Sequence, residues 1–512
     1  MQQALPCFLL PYINDRKDTY GRDVSPGLRD PAAPELDRQK LVIEFSSPNI
    51  AGEFQGKHLR STILGAYIGN LHQSMGWDVI RINYLGDWGK PIGLLGIGWE
   101  KFGSEELFQA NPAGHLLDVY NKINDLFFPE QAASKRARDD GGDTADIESH
   151  GLFAERNAFF KRMEDGEEEA IALWKRVREV GIESYTKFYD QLNVKFDEYT
   201  GESQVDPKTM VEVEEILKTK GLCEESGGAW TIDLKKHGAK SGMAIIRDRT
   251  GASTYLLRDL AAVLDRSRKY NFDKMIYVVA ADQHTTHFSR LFKILKLMDM
   301  SDLASKLQHA SFNESAKMSK NLGHGHMLGE ILQPYQNAMQ NSLKEQQEKA
   351  SIFGETDETA AALSITALLT LELSTRRAND HAFEISQVTS FDPGTGPDLQ
   401  YWYVRLCSIL KANPEPADLS DEEFASLVED DQTNLLRLLI QYPDVTHGAY
   451  KSLESAPVLA YLVNVTGQLS LCMGESQEEV VATPAQVMLY EATRNVLENG
   501  MKLLGIRPSV ER

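Results

Sequence analysis

Short apolar runs alternate with longer helical stretches over most of the chain. Residues 40–45 (KLVIEF), 79–84 (VIRINY) and 275–280 (MIYVVA) have the length and β-branched composition of buried strands. A helix is predicted to start near His58, where apolar residues follow the Ser-Ser-Pro-Asn break after the first strand. This alternation is typical of a doubly wound parallel sheet and predicts an α/β fold over residues 39–390.

Other segments depart from this pattern. Residues 1–38 are rich in Pro, Asp and Arg and predict an irregular lead-in. An insertion is expected at about 95–245, with a polar, mobile loop at 134–151, and a strand signal resumes at 244–246. From residue 391 to residue 512 the apolar positions follow helical spacing and predict an all-α domain.

Composition limits the class of protein. The chain has 512 residues, of which 42% are hydrophobic and 25% charged, as in ordinary globular proteins. No apolar run approaches the roughly 20 residues that span a bilayer, so we expect no membrane segment. Four cysteines lie far apart without metal-ligand spacing, which favours a cytoplasmic protein without a metal site. The net charge of −21 does not exclude a nucleic-acid partner, because phosphate binding needs only a local basic surface.

The most informative motif follows the first predicted strand. The sequence SSPNIAGEFQGKHLRS joins that strand to a helix N-terminus, where unpaired N–H groups bind phosphate. It resembles the signature of arginyl-tRNA synthetases, a class I family with the pattern S-S-P-N-I-A-x-x-F-H-x-G-H-L-R-S. His58 matches the second histidine, whereas Gln55 replaces the first histidine and Lys57 replaces the glycine. A neutral amide and a charged stem at these positions predict that adenylate formation is severely impaired or lost.

The resemblance also implies an arginine pocket. Glu202 lies in YTGESQV, similar to the family's Y-S-G-E-S-Q-V, and Tyr255 and Asp259 occupy positions i and i+4 of YLLRD. The carboxylates of Glu202 and Asp259 can accept a planar guanidinium, and Tyr255 can cover its aliphatic stem. Asn49 and Gln283 can hold the α-amino end of the amino acid.

A second signature concerns the triphosphate. Lys317, Ser319 and Lys320 lie in KMSKNLG, which resembles the class I K-M-S-K-S loop that neutralises triphosphate charge. The same lysines could instead bind the phosphates at a tRNA 3′ end. The candidate catalytic residues are Gln55, Lys57, His58, Asp282 and His284.

Further departures from the family lie near the expected active site. Pro91 replaces the Gln of G-D-W-G-x-Q, and Asp398, Trp402 and Tyr403 change the family's G-D-T-G-P-Y-L-Q-Y-A-H. We expect these changes to remodel the entrance to the arginine pocket and the path of the tRNA terminus.

The resemblance covers roughly residues 40–512, and the broken signature beside an intact arginine pocket predicts a change of substrate. We predict a tRNA-dependent cyclodipeptide synthase, similar to the arginine-containing enzymes of fungal natural-product pathways. It would take Arg-tRNA and a second aminoacyl-tRNA, with a base such as His58, His284 or Asp282 deprotonating the amine. We expect no cofactor, no DNA partner, no membrane contact and a monomer.

Two alternatives stay open. One is an arginine–tRNA ligase with a variant signature, which would use ATP. The other is a non-catalytic sensor of tRNA or arginine.

Overall fold

The residues of the first apolar run form the middle of a parallel sheet in this computed structural model. The structure describes residues 5–30, 32–33, 37–140, 142–238, 242–249, 251–281, 284–313, 328–353, 356–379, 384–413, 419–474 and 481–509. The described strands are β1 (Lys40–Glu44), β2 (Asp78–Leu85), β3 (Glu198–Gly201), β4 (Glu224–Ser226), β5 (Ala229–Asp233), β6 (Met243–Arg247), β7 (Lys274–Tyr277) and β8 (Leu307–His309).

Helices surround the sheet and follow it in the chain. Those up to the last strand are α1 (Leu5–Arg16), α2 (Gly56–Ser74), α3 (Lys90–Phe102), α4 (Glu105–Ala110), α5 (Pro112–Asp139), α6 (Ala145–Glu148), α7 (Gly151–Glu164), α8 (Glu168–Gln191), α9 (Pro207–Thr219), α10 (Tyr255–Tyr270), α11 (His284–Leu297) and α12 (Ser301–Ser305). The later ones are α13 (Gln333–Glu345), α14 (Gln347–Ala350), α15 (Asp357–Leu373), α16 (Ile385–Val388), α17 (Gly396–Ala412), α18 (Asp421–Phe424), α19 (Asp430–Leu439), α20 (Tyr442–Ser452), α21 (Ala456–Met473) and α22 (Pro484–Leu503).

The predicted α/β fold is confirmed. Within the described chain the parallel strands lie in the order β3-β2-β1-β7-β8, with β1 at the centre. Leu41 and Ile43 face a core shared with α2, whereas Val42 faces a core shared with α10 and α11. Burial on both faces explains why β1 reads as a continuous apolar run.

Two strands lie elsewhere than the sequence pattern indicated. The strand signal at 244–246 belongs to β6, which pairs antiparallel with β5 in a separate sheet of order β4-β5-β6. β3 falls within the predicted insertion, yet it pairs with β2 at the edge of the parallel sheet. The predicted limits at residues 38 and 390 and the extent of the insertion stay proposals.

Two segments are more regular than predicted. The lead-in contains α1, whose Leu10 and Ile13 are fully buried and whose Asn14 side chain donates to the Met488 carbonyl of α22 (3.1 Å). Apolar burial against the C-terminal helices therefore outweighs the unfavourable Pro11 inside α1. The polar loop predicted at 134–151 is partly helical, because α5 continues to Asp139 and is followed by α6.

The C-terminal part is helical, as predicted. By length and composition one described helix, α21, could cross a membrane, and 44% of it is buried inside the protein. Its buried Val458, Leu462, Val465 and Leu469 form one stripe at helical spacing. Since α21 packs on α19, α20 and α22, we interpret it as the core helix of this domain.

A buried ion pair joins α2 to α15, a helix that precedes the C-terminal helical domain. Arg60 of α2 and Glu372 of α15 are 1% and 0% exposed, and Arg60 Nη1 lies 3.6 Å from Glu372 Oε2. A charge taken out of water and left without its partner is strongly destabilising.

We predict that Glu372→Ala lowers the free energy of unfolding by about 3–5 kcal/mol, because it removes the buried carboxylate that lies beside the buried Arg60 guanidinium. Chemical denaturation of the full chain measures this loss. The double variant Arg60→Met/Glu372→Leu should recover most of the stability, since it removes both charges at similar volume. A loss as small as that of Glu183→Ala, which removes an exposed partner of Lys187, would contradict the prediction.

Candidate active site

The site lies where the direction of the sheet order reverses. The connection from β1 leads to β2 on one side, whereas β7 pairs on the other, so a crevice opens at their carboxyl ends. A cavity of about 590 Å³ occupies this crevice. Seven of the predicted site residues line it: Asn49, Lys57, His58, Glu202, Tyr255, Asp259 and His284.

The other predicted residues are not brought to this cavity by the described chain. Gln55 is exposed at the N-cap of α2 and is not among the described wall residues of the cavity. Asp282, Gln283, Lys317, Ser319 and Lys320 lie outside the described residues.

One wall of the cavity is acidic. Glu202 follows β3 directly, and Asp259 lies one turn into α10, which begins at Tyr255 because the Thr254 hydroxyl caps it by accepting the Leu257 N–H (3.5 Å). Burial, together with the charge of Asp259, raises the pKa of Glu202 well above its usual value. A cation in the cavity would offset both effects, so the wall is suited to a positively charged ligand.

Glu202 is held in place from below by a buried carboxylate. Asp87 is fully buried, and its two oxygens accept the N–H and the hydroxyl of Ser203 (2.9 and 2.8 Å). Arg178 of α8 donates Nε–H to the same carboxylate (2.8 Å). A Cβ at Gly201 would lie only 2.3 Å from the Asp87 oxygens, so the close approach requires glycine. The Gly-Asp and Gly-Glu-Ser motifs therefore form one unit that aims Glu202.

The sequence pattern did not single out Glu44, a further acidic residue of the cavity. It ends β1, and its Oε2 lies 2.6 Å from Arg266 Nη1, with both side chains largely buried. Burial raises the pKa of Glu44 despite the neighbouring Arg266. Within the apolar run KLVIEF it is predicted only as a strand residue. A charged residue in a buried strand was the one feature that could have indicated a functional role.

His287 contacts the pocket carboxylate directly. Its Nε2 lies 2.6 Å from Asp259 Oδ2. Burial opposes a charged imidazole, but the hydrogen bond to Asp259 outweighs it and raises the pKa of His287. His287 therefore orients Asp259 and, when protonated, offsets its negative charge.

His58 is prepared as a neutral donor. The Gln55 backbone N–H donates to His58 Nδ1 (3.0 Å), so a neutral ring carries its proton on Nε2. Burial, helped by Lys57 and His284, lowers the pKa of His58 to about 3. The ring thus stays neutral around pH 7 and presents one N–H group beside the N-terminus of α2.

The turn between β1 and α2 is strained. Ser46 and Ser47 have φ of 68° and 48°, in the left-handed region that favours glycine. The Ser46 N–H donates to Ser61 Oγ (2.8 Å), and the Ser47 N–H donates to Asn83 Oδ1 (3.1 Å). The buried Tyr189 hydroxyl lies 2.6 Å from Ser46 Oγ and accepts the Asn83 side-chain N–H (3.1 Å). Helix α8 and strand β2 together hold the turn in this conformation.

The remaining departures from the resembled family lie away from the cavity. Pro91 lies in the first turn of α3, where proline is tolerated. Asp398, Trp402 and Tyr403 are buried in α17, and none of them is among the described residues of the cavity wall. The expectation that they remodel the entrance to the arginine pocket stays a prediction.

Comparison with protein families gives two matches along the chain. The family "tRNA synthetases class I (R), catalytic domain" matches residues 29–385, and the "DALR anticodon binding domain" matches residues 399–511. The chain is 40% identical to the cytoplasmic arginine–tRNA ligase of Saccharomyces cerevisiae, over 100% of this chain and 81% of the relative. It is 39% identical to the probable cytoplasmic arginine–tRNA ligase of Schizosaccharomyces pombe, over 99% of this chain and 81% of the relative.

Solved structures agree on the fold. Arginyl-tRNA synthetase from Plasmodium falciparum superposes with a TM-score of 0.73 at 21% identity, covering 97% of this chain and 82% of that one. The enzyme from Thermus thermophilus gives 0.72 at 16% identity, covering 98% and 85%.

These relatives overturn the predicted function. Those that match this chain along its whole length at 39–40% identity are named arginine–tRNA ligases, so the prediction of a cyclodipeptide synthase in secondary metabolism is wrong. A second aminoacyl-tRNA substrate finds no support in these matches. The two family matches together cover both the α/β and the helical part, and the chain belongs to the class I arginyl-tRNA synthetase family.

Proposed function

We propose that this chain attaches arginine to tRNA at the expense of ATP, as an arginine–tRNA ligase. The observation that carries the proposal is the acidic cavity at the strand ends, in a chain 40% identical over its length to such a ligase. ATP is then a co-substrate, which replaces the expectation that no cofactor is needed. The partner is tRNA for arginine, held by the helical domain that matches an anticodon-binding family.

The arginine subsite would be formed by the residues that the sequence indicated. Glu202 and Asp259 accept the guanidinium, whose planar fork of N–H groups suits two carboxylates better than the compact ammonium of lysine does. Arg266 is paired with Glu44, and His287 is bonded to Asp259. Glu202, with its raised pKa, is therefore the carboxylate that gains most from an incoming cation. Asn49 and Gln283 are assigned to the α-amino end.

The chemistry has two transfers. An arginine carboxylate oxygen attacks the α-phosphorus of ATP. The bond between the α-phosphorus and the oxygen that bridges it to the β-phosphorus breaks, and pyrophosphate leaves. The terminal ribose hydroxyl of tRNA then attacks the arginyl carbonyl carbon, and AMP leaves with the adenylate oxygen. The protein must hold negative charge in the first step, and the α2 N-terminus and the His58 Nε2–H supply donors for it.

Gln55 and Lys57 change how this charge is held. Lys57 lines the cavity in the first turn of α2 and offers a point charge to a phosphate, whereas Gln55 offers an amide donor. We assign the KMSK-like residues Lys317, Ser319 and Lys320 to the same triphosphate. We expect activation that is slower than with the family's pattern, rather than absent.

Compartment and assembly stay predictions. Relatives include arginine–tRNA ligases named cytoplasmic and others named mitochondrial, among them that of Saccharomyces cerevisiae, at 36% identity over 92% of this chain. We keep the cytoplasm and a monomeric state as the proposals to test.

A second candidate function is binding of arginine and tRNA without activation. The substitution of a histidine and a glycine by Gln55 and Lys57 in the signature favours it. The two functions share the arginine cavity and differ only in turnover.

We predict that the purified chain, given arginine, ATP and total tRNA, forms arginyl-tRNA and releases AMP. Asp259→Asn should lower kcat/KM for arginine by about 100-fold, equivalent to about 2.7 kcal/mol, because one guanidinium partner loses its charge. Radiolabelled arginine in acid-precipitated tRNA measures the rate. Asp302→Asn, which changes an exposed carboxylate on α12, is the matched control. Arginine binding without any AMP release would contradict the ligase and support the second candidate.

We predict that the double variant Gln55→His/Lys57→Gly raises the rate of arginine-dependent ATP–pyrophosphate exchange by about tenfold or more, with tRNA present throughout. Arginine affinity, measured by calorimetry, should stay unchanged, since neither residue belongs to the acidic wall. Lys57→Ala alone controls for loss of the charge, and thermal unfolding controls for the cost of glycine in the helix. An exchange rate equal to or below that of the unchanged chain would refute the view that these positions limit activation.

A further inference from the structure

A second cavity lies on the far side of the signature loop. Its volume is about 520 Å³, and its described walls are residues 50–54, helices α5 and α8, and Leu328 with Glu330. The described walls of this cavity and of the acidic one have no residue in common. The apolar members of its wall include Ile50, Phe54, Leu116, Val177, Val180 and Phe188.

The size of this cavity sets it apart from ordinary packing voids. Protein interiors hold few voids larger than a water molecule, whereas small-molecule sites span roughly 300–1,000 Å³. The signature loop and helices α5 and α8 thus enclose an apolar space of the size of a small-molecule site. Because most of the wall is apolar, an apolar ligand can favourably displace loosely held water from this space.

The chemistry of the wall selects the ligand. The Phe54 ring lies 5.3 Å from the Phe188 ring and 6.0 Å from the Tyr185 ring, so a cluster of three aromatic side chains forms part of the wall. A further aromatic ring adds favourably to such a cluster in an offset or edge-to-face arrangement. Lys187, the cation of the wall, is exposed and paired with Glu183 (2.7 Å). The wall also contains the carboxylates of Glu53 and Glu330, which disfavour an anion. A neutral aromatic molecule therefore fits this wall better than an anion does.

This cavity is mechanically linked to the arginine subsite. The Tyr185 hydroxyl donates to the Asn49 carbonyl (3.4 Å), and the Ile50 N–H donates to the Gly86 carbonyl at the end of β2 (3.3 Å). A Cβ at Gly181 would stand 3.4 Å from Ile50 Cγ2, so α8 lies directly against the loop. Asn49 and Ile50 are neighbours in the chain, and one faces each cavity.

We propose that the apolar cavity is a second small-molecule site, for a neutral aromatic ligand, and that its occupancy changes the affinity of the first cavity for arginine. The link is the Asn49–Ile50 segment, which a ligand touching Ile50, Phe54 and Tyr185 holds in one position. The second half of this proposal rests on the proposed function, whereas the site itself does not.

Indole serves as the probe, and binding is measured on the folded full chain. We expect saturable one-to-one binding by calorimetry, and indole-3-acetate should bind at least tenfold more weakly because its carboxylate must be desolvated. Val180→Phe on α8 and Ala113→Phe on α5 fill the cavity from two different walls and should each weaken indole binding at least tenfold. Ala172→Phe, at an exposed position of α8, should leave it unchanged.

The coupling is measured as the dissociation constant of arginine with and without saturating indole, where we expect a shift of at least threefold. Circular dichroism verifies the fold of each variant, and two walls are used so that one unfolded variant does not decide the test. Absence of saturable indole binding, or binding that neither filling variant weakens, overturns the site. Indole binding without a shift in arginine affinity overturns the coupling. Indole binding to a chain that binds no arginine leaves the site standing and refutes the proposed function instead.

Discussion

Everything at the active site depends on how the chain leaves β1. Two consecutive serines in the left-handed region cost free energy of the order of 1–3 kcal/mol each, and this cost must be met by contacts elsewhere. The contacts come from three elements: Ser61 on α2, Asn83 on β2 and Tyr189 on α8. The turn places Asn49 toward the acidic cavity and Ile50 toward the apolar one. Because one strained turn separates the two cavities, the geometry of each is tied to that of the other.

Charge balance is the second constraint. The cavity gathers carboxylates that would repel one another if each were exposed to the same dry space, and the fold separates their environments. Glu44 has Arg266 beside it, Asp259 has His287, and Glu202 is left with burial as the dominant influence. The proposed guanidinium ligand would complete this arrangement, since it brings one positive charge and several N–H donors to carboxylate acceptors. The same reasoning explains why Asp87 is buried with Arg178: a fixed, satisfied carboxylate can aim Glu202 without adding net charge to the site.

The sequence predicted the parts of the fold that depend on local periodicity and failed where long-range contacts decide. Strand β1 was predicted from its apolar run, and the shared helical face of Tyr255 and Asp259 on α10 from their spacing. In contrast, α1 is stabilised by burial against α22, hundreds of residues away, and its prolines hide it locally. Strand β3 has only four residues, Glu-Tyr-Thr-Gly, without an apolar run, so only its pairing with β2 identifies it. The pocket residues converge because strand ends meet at one edge, whereas Glu44 was hidden in an apolar run. The functional prediction failed for a different reason: two changed positions were given more weight than similarity along the whole chain.

Gln55 and Lys57 change the charge and the free space at the N-terminus of α2. A lysine in the first turn of a helix faces the positive end of the helix dipole, so Lys57 is unfavourable there until an anion arrives. The same charge helps to keep His58 neutral, with its proton on the nitrogen that is free of the Gln55 N–H. A bound triphosphate would make the position of Lys57 favourable, because its negative charge attracts the lysine. It would also accept a hydrogen bond from the His58 Nε2–H. Lys57 therefore adds attraction for phosphate while its stem takes up space that a glycine leaves open. The expected consequence is a changed balance between holding the nucleotide and positioning its α-phosphate, which separates the affinity for ATP from the rate of activation.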